Sequence, residues 1–213
     1  MEGIYKNIIL LFILIGFQGN TQDFNIKMNY GRNIVFWKLS SGSGKLYENK
    51  FKTNSSCLLS IEKGIKEKSF FLVSIKLISE KLEFMCSYYD QHSLFLHKIN
   101  ILQYLFGIGY YQKVGINDFY SLNIGMSLHY PKIIKSETTI EDLILVSYTD
   151  NIEKDNNVCF SPFLTINRKI SDRILVNLEM DFLIRQKIAY KITDSDYLNN
   201  TFTLSAGFLI KIY

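Results

Sequence analysis

Three groups of residues in this 213-residue sequence are of types that can do chemistry: the cysteines, a serine and a histidine two positions apart, and a set of charges set into apolar stretches. Cys57, Cys86 and Cys159 are far apart and odd in number. Metal sites need clustered Cys and His, and disulfide frameworks need even counts at tight spacing, so neither is expected and no cofactor is implied. The cysteines read instead as small apolar strand residues. Ser127 and His129 share one face of a strand, with backbones on the order of 6–7 Å apart. A nucleophile needs its base within hydrogen-bond reach, and no carboxylate stands in register with this pair. His92 and His97 have no matching Ser or Asp pattern. No catalytic residue is assigned, and His129 is expected to be an interior hydrogen-bonding group. Gly42, Gly44 and Lys45 fail as a phosphate loop, because Leu39 and Leu46 stand where that motif requires Gly and Ser or Thr.

The charges are the one constellation of note. Lys27, Glu62, Lys76, Glu179, Asp181, Arg185 and Lys211 each fall on the polar side of an alternating segment, as do Asn177 and His129. If those sides face one interior, the charges there must be paired and hydrogen-bonded. A structural salt-bridge plug is the expected outcome.

The elements that would position them are strands. Residues 201–213 place Phe202, Leu204, Phe208, Ile210 and Ile212 on one face, with Thr203, Ser205, Gly207 and Lys211 on the other, and end at Tyr213. The same alternation marks residues 24–39, 56–63, 94–113, 121–130, 158–167 and 174–184. Within residues 71–88 the phase flips near 79–81, which signals a β-bulge in one long strand or a tight turn. The bulge gives eight strands and the turn ten. With eight, short turns at 64–68, 115–118 and 168–172 alternate with longer loops, among them 40–54 and 131–157. Thr139 and Asp142 have the spacing of a capping box, so one short helix around Ile140 is expected in the second of these loops. The fold class is all-β: an eight-stranded antiparallel up-and-down transmembrane β-barrel, closed by residues 201–213 against 24–39, with ten strands as the alternative.

Mean hydropathy is near zero although 47% of residues are hydrophobic. After residue 17 there is no apolar run of the roughly 20 residues that a membrane helix needs. Alternation conceals apolar content in this way when the apolar face meets lipid. A soluble lipocalin-like barrel would turn that face inward around a ligand. The membrane reading is favoured by polar faces rich in Gly, Ser, Thr and Asn, and by Tyr and Phe near strand ends. Residues 8–17 form an unbroken apolar run after Lys6, about ten residues long, which suits a cleavable signal peptide rather than a membrane span. The domain reading is a signal peptide over 1–21 and a barrel over 22–213.

The segments H-K-I-N-I-L-Q-Y-L-F-G-I-G-Y-Y (97–111), L-N-I-G-M-S-L-H-Y (122–130) and L-S-A-G-F-L-I-K-I-Y (204–213), with the apolar leader ahead of Gln22, resemble the outer-membrane β-barrel proteins of Bacteroidetes, the group that includes PorT-like proteins. The resemblance implies a bacterial outer-membrane location and assembly by the barrel-assembly machinery. The expected role is structural, or one of binding through the loops in the cell envelope, in a barrel too narrow to be a wide porin. A lipid-modifying barrel enzyme is the alternative. Expected partners are outer-membrane lipid, lipopolysaccharide phosphates near the loop lysines, and other envelope proteins at loops 40–54 and 131–157. Nucleic acid is not among them.

Overall fold

A computed structural model describes residues 24–41, 45–50, 54–87, 94–142, 147–150, 158–184, 188–190 and 195–212. The leader reading over 1–21, Arg185 and Tyr213 lie outside the described residues. The strand segments are β1 (Phe24–Ser41), β2 (Lys45–Lys50), β3 (Asn54–Lys66), β4 (Ser69–Ser87), β5 (Leu94–Gly115), β6 (Tyr120–Asp142), β7 (Ser147–Asp150), β8 (Cys159–Lys169), β9 (Ile174–Leu183), β10 (Ile188–Tyr190) and β11 (Ser195–Ile212). They make eight staves, because β2 continues β3 beside β4, β7 continues β8 beside β6, and β10 continues β9 beside β11. All pairings are antiparallel, and β1 pairs with β11 from Phe24–Ile212 to Leu39–Tyr197 without a slip. The result is a closed eight-stranded barrel.

Closure satisfies the backbone hydrogen bonds of both end strands, so neither presents an open edge along this ladder. Alternation then decides which side chains go where. On β11, Leu204, Phe208, Ile210 and Ile212 are exposed on the outside, with Phe202 in the same phase, while Thr201, Thr203, Ser205 and Leu209 are buried inside. On β1, Met28, Tyr30, Ile34 and Phe36 face out, and Asn25, Lys27, Asn29 and Asn33 face in. The apolar face is therefore outward on both seam strands, the reverse of a barrel built around an apolar ligand.

Three hairpin turns cluster at one end. Residues 67–68 join β3 to β4. At 116–119 the side-chain oxygen of Asn117 accepts from the backbone N–H of Phe119 and Tyr120, at 2.9 and 2.8 Å. At 170–173 the Ser171 hydroxyl oxygen accepts from the N–H of Ile174 at 3.1 Å. Asn and Ser hold these turns because a short polar side chain can supply the acceptor that the bent backbone lacks.

Several expectations change. The bulge expected near 79–81 is absent: β4 pairs with β5 from Ser69–Gln112 to Ser87–Leu94 without a shift, and Phe70, Leu72, Ser74, Lys76, Ile78 and Glu80 all face inward. Apolar residues on both faces of β4 mimicked a change of phase. A register shift does occur between β5 and β6, where Ile134 is the extra residue opposite Leu102 and Gln103. Part of loop 40–54 is strand β2, and loop 131–157 is largely the extension of β6 and its partner β7. The expected helix around Ile140 does not form there. Ile140 pairs with Tyr148, as the β-branched run Thr138, Thr139, Ile140 favours. Residues 143–146 lie outside the described part. Pro162 interrupts the β8–β9 ladder, which has a bridge at Phe160–Ile184 and resumes at Phe163–Asp181, because proline has no N–H to donate.

The seam depends on Gly207. A Cβ at that position would collide with the Met28 carbonyl oxygen and with Asn29 on the neighbouring strand. Gly207→Val is therefore expected to hinder closure of β1 on β11. In an electrophoretic folding assay, unheated samples of the variant should run largely at the position of the boiled, unfolded chain. A variant that folds as fully as the parent would show that the seam tolerates the side chain.

Candidate functional site in the barrel interior

The buried charges come from β1, β3, β4 and β9, of which β9 shares no backbone ladder with the other three. Lys27 on β1 donates to Glu179 on β9 at 2.7 Å and lies 3.2 Å from Glu62 on β3. Glu179 also accepts from the Thr165 hydroxyl at 2.9 Å, and Glu62 from the Tyr111 hydroxyl at 2.7 Å. Lys76 on β4 reaches both oxygens of Asp181 at 2.7 Å and donates to Thr203 at 2.9 Å. Two ammonium groups and three carboxylates thus share one layer; Lys27 is held between two carboxylates, and each of the other four charges has a hydroxyl neighbour beyond its ionic partner. Such multiplicity is what makes buried charge tolerable.

The layer lies between two clusters of buried apolar residues. Toward the turns lie Phe70, Leu72, Tyr111 and Phe163, where Phe70 and Tyr111 stack with ring centroids 4.9 Å apart. Toward the loops lie Ile78, Leu105, Cys159 and Leu183. The order can be read along single strands. On β4 it runs Phe70, Leu72, Ser74, Lys76, Ile78, and on β8 it runs Phe163, Ser161, Cys159. Lys27 marks the lower boundary, with its ammonium 5.5 Å from the centre of the Phe163 ring. The cavity left inside the layer is about 20 Å³, room for about one water.

Ser127 and His129 belong to the same layer. Their side chains close the gap between their backbones: Ser127 Oγ is 2.7 Å from His129 Nε2, so the pair does reach hydrogen-bond distance. The imidazole occupies the space left by Gly107 on β5, where a Cβ would collide with the ring. Both residues are buried between the two apolar clusters.

Of the residues singled out in the sequence, Lys27, Glu62, Lys76, His129, Glu179 and Asp181 are brought together. Asn177 is buried nearer the turns, paired with Asn167 across β8 and β9. Lys211 stays apart: it is half-buried at the turn end, and its backbone N–H donates to Arg173 at 2.8 Å. Several participants were missed. Tyr111 reads as one more aromatic in Y-L-F-G-I-G-Y-Y, yet its phase, two residues past Gly109, points it inward. Glu80 accepts from Gln103 at 3.1 Å and from Thr201 at 3.0 Å above the upper apolar cluster. The assumed phase flip hid it. Cys57 is exposed outside and Cys159 buried inside, both on strands. Among the described residues no three His, Cys, Asp or Glu converge as a metal site would require.

Removing one partner of a buried ion pair costs about 3–5 kcal/mol, because the other charge is stranded. Lys27→Met should destabilise the barrel by about that much in urea unfolding. A triple variant that also carries Glu62→Gln and Glu179→Gln should recover most of the loss, and an unchanged midpoint for Lys27→Met would mean that the layer adds nothing to stability.

No family model matches the sequence, and no curated protein does. Solved structures do match in fold. Neisserial surface protein A (NspA) superposes with a TM-score of 0.52 at 10% identity, covering 89% of this chain and 97% of its own. The outer membrane protein OprG from Pseudomonas aeruginosa gives 0.51 at 12% identity, covering 91% and 97%. At such identities the likeness is one of architecture: this chain has the closed barrel fold that these two proteins have.

Proposed function

We propose that the protein is a small bacterial outer-membrane barrel with a closed interior, structural in its wall and interactive at its loop side. The observation that carries this reading is the inverted polarity of the fold. Exposed Ile, Leu, Val, Met and Phe side chains cover its outside, while its ions are buried within. In water such an exterior would aggregate, whereas in a bilayer it replaces lipid contacts. The fold shared with NspA and OprG supports the same location. The finer assignment to the Bacteroidetes barrel family rests on the segments that form β5, β6 and β11, and export on removal of residues 1–21.

The filled interior argues against solute flow, since a passage would have to cross two apolar clusters and break a paired ion layer. It also argues against Ser127 and His129 as a lipid-modifying dyad, because no acyl chain reaches them through a cavity of about 20 Å³. What remains available is the outer surface. Arg32, Lys81 and Lys132 are exposed toward the loop end, where lipopolysaccharide phosphates would lie. The strand extensions β2, β7 and β10 carry the loops that would meet other envelope proteins, and the barrel-assembly machinery would insert the chain.

Cell fractionation should place the protein in outer membranes, in a form whose electrophoretic mobility changes on boiling. Recovery in the soluble periplasm would overturn the reading. In planar bilayers the purified barrel should give no steady channel conductance, and porin-sized steps would contradict a closed interior. Leu178→Arg, on the outer face of β9, should cost about 2–4 kcal/mol of stability in a bilayer, as a charge near the midplane does. A neutral effect would favour a solvated exterior.

A further inference from the structure

The turn end carries a second feature that the closed interior does not explain. The most exposed apolar side chains there are Phe119 at 66%, Ile170 at 60% and Ile116 at 59%. All three sit on hairpin turns, past the ends of the strands. The turn segments also carry most of the chain's excess positive charge, with Lys66, Lys68, Lys113, Arg168, Lys169 and Arg173 against Glu67, Asp118 and Asp172. Between the turn at 116–119 and the end of β8, Phe119, Tyr120, Arg168, Lys169 and Ile170 enclose an open cleft of about 460 Å³. The two walls are tied together by the Lys169 N–H, which donates to the Phe119 carbonyl at 2.7 Å.

The cleft joins two chemistries. Its apolar part is Phe119 and Ile170. Its cationic part is Arg168, whose guanidinium lies 5.9 Å from the centre of the Tyr120 ring, and Lys169. Tyr120 and Arg168 are cross-strand partners on the outer face. Among the described residues Arg168 has no carboxylate partner, which leaves its planar fork of donors available to an anion. Lys169 is partly neutralised by Asp172 at 2.6 Å. The Lys169 hydrogen bond and charge hold the Asp172 carboxyl below its ordinary range.

We propose that this cleft seats the headgroup of an anionic phospholipid from the leaflet at the turn end, with the phosphate on Arg168 and Lys169 and the glycerol and first acyl carbons against Phe119 and Ile170. The proposal rests on the membrane placement argued above. A diacyl lipid fits both halves of the cleft, whereas a free phosphate would use only the cations and leave the exposed Phe and Ile in water. The other hairpins also carry cations and share in the general attraction of an anionic surface. The cleft differs in setting a guanidinium beside an aromatic ring and against an apolar wall.

The test uses the full barrel refolded in nanodiscs of phosphatidylcholine mixed with phosphatidylglycerol of the same acyl chains. Lipids retained after transfer to detergent are counted by native mass spectrometry. Preferential retention of one phosphatidylglycerol is expected. Arg168→Gln should lower that preference about fivefold, the factor that corresponds to about 1 kcal/mol for a basic residue at an anionic surface. Asp172→Asn, which removes the carboxylate charge beside Lys169, should raise it. Phe119→Ala should reduce retention of both lipids, and Lys66→Gln with Lys68→Gln, on a different hairpin, should leave the preference in place. Equal retention of the two lipids, or a preference that Arg168→Gln leaves unchanged, would overturn the proposal. So would competition by free glycerol 3-phosphate at millimolar concentration, which would assign the cleft to soluble phosphate. The boiling-dependent gel shift, read on the same samples, separates the two levels: failure to insert would count against the membrane placement, and insertion without lipid preference only against the cleft.

Discussion

Everything in this molecule depends on the ladder between β1 and β11. A sheet whose outside is apolar cannot leave a row of unpaired N–H and C=O groups at an edge, because neither lipid nor a packed core would hydrate them. Closing the sheet removes the edges and fixes the size of the lumen, since eight staves enclose just enough space for side chains to fill. From that narrowness follow the filled interior, the small residues at the seam, and the confinement of long side chains to a few levels.

Within those limits the interior is arranged by level along the axis. Two apolar clusters flank a layer of charge, and the separation is physically consistent. Lys, Glu and Asp supply the length to span the lumen and meet in the middle. Phe, Tyr, Ile and Leu exclude the water that would otherwise compete for the ionic partners. Taking water away raises both the cost of a stranded charge and the strength of a satisfied hydrogen bond. The layer is therefore stabilising only as a complete set. Its cross-lumen links join strands that share no backbone ladder, such as β1 with β9 and β4 with β9.

The wall was legible in the sequence where the alternation was clean. Leu122, Ile124, Met126 and Leu128 against Asn123, Gly125 and Ser127 leave one phase available, and β11 is equally unambiguous. It was less legible where apolar residues occupy both faces. Phe70, Leu72 and Ile78 are inward and Phe71, Val73 and Leu77 outward, so β4 gave no contrast and its phase was misjudged. The loop side was harder still, because polar residues in 131–142 look like a loop whether or not they continue a strand above the rim. In the interior, the identity of the charges was readable from phase alone, but their pairing was not. Lys27 meets Glu179 across 152 positions of sequence, and only the shear of the closed barrel sets that distance. The closeness of Ser127 and His129 is a matter of rotamers, which strand spacing does not determine.

Lys27 sits on the first stave and is held by the second and the seventh, a placement that bears on how the barrel is assembled. If β1 slipped by one residue against β11, every side chain on it would change face. Met28 would enter the layer in place of the ammonium, Lys27 would be turned toward the apolar exterior, and Glu62 and Glu179 would lose their common partner. A misregistered seam is thus penalised at three points by a single slip. The ion layer disfavours any closure of β1 on β11 that is out of register by one residue.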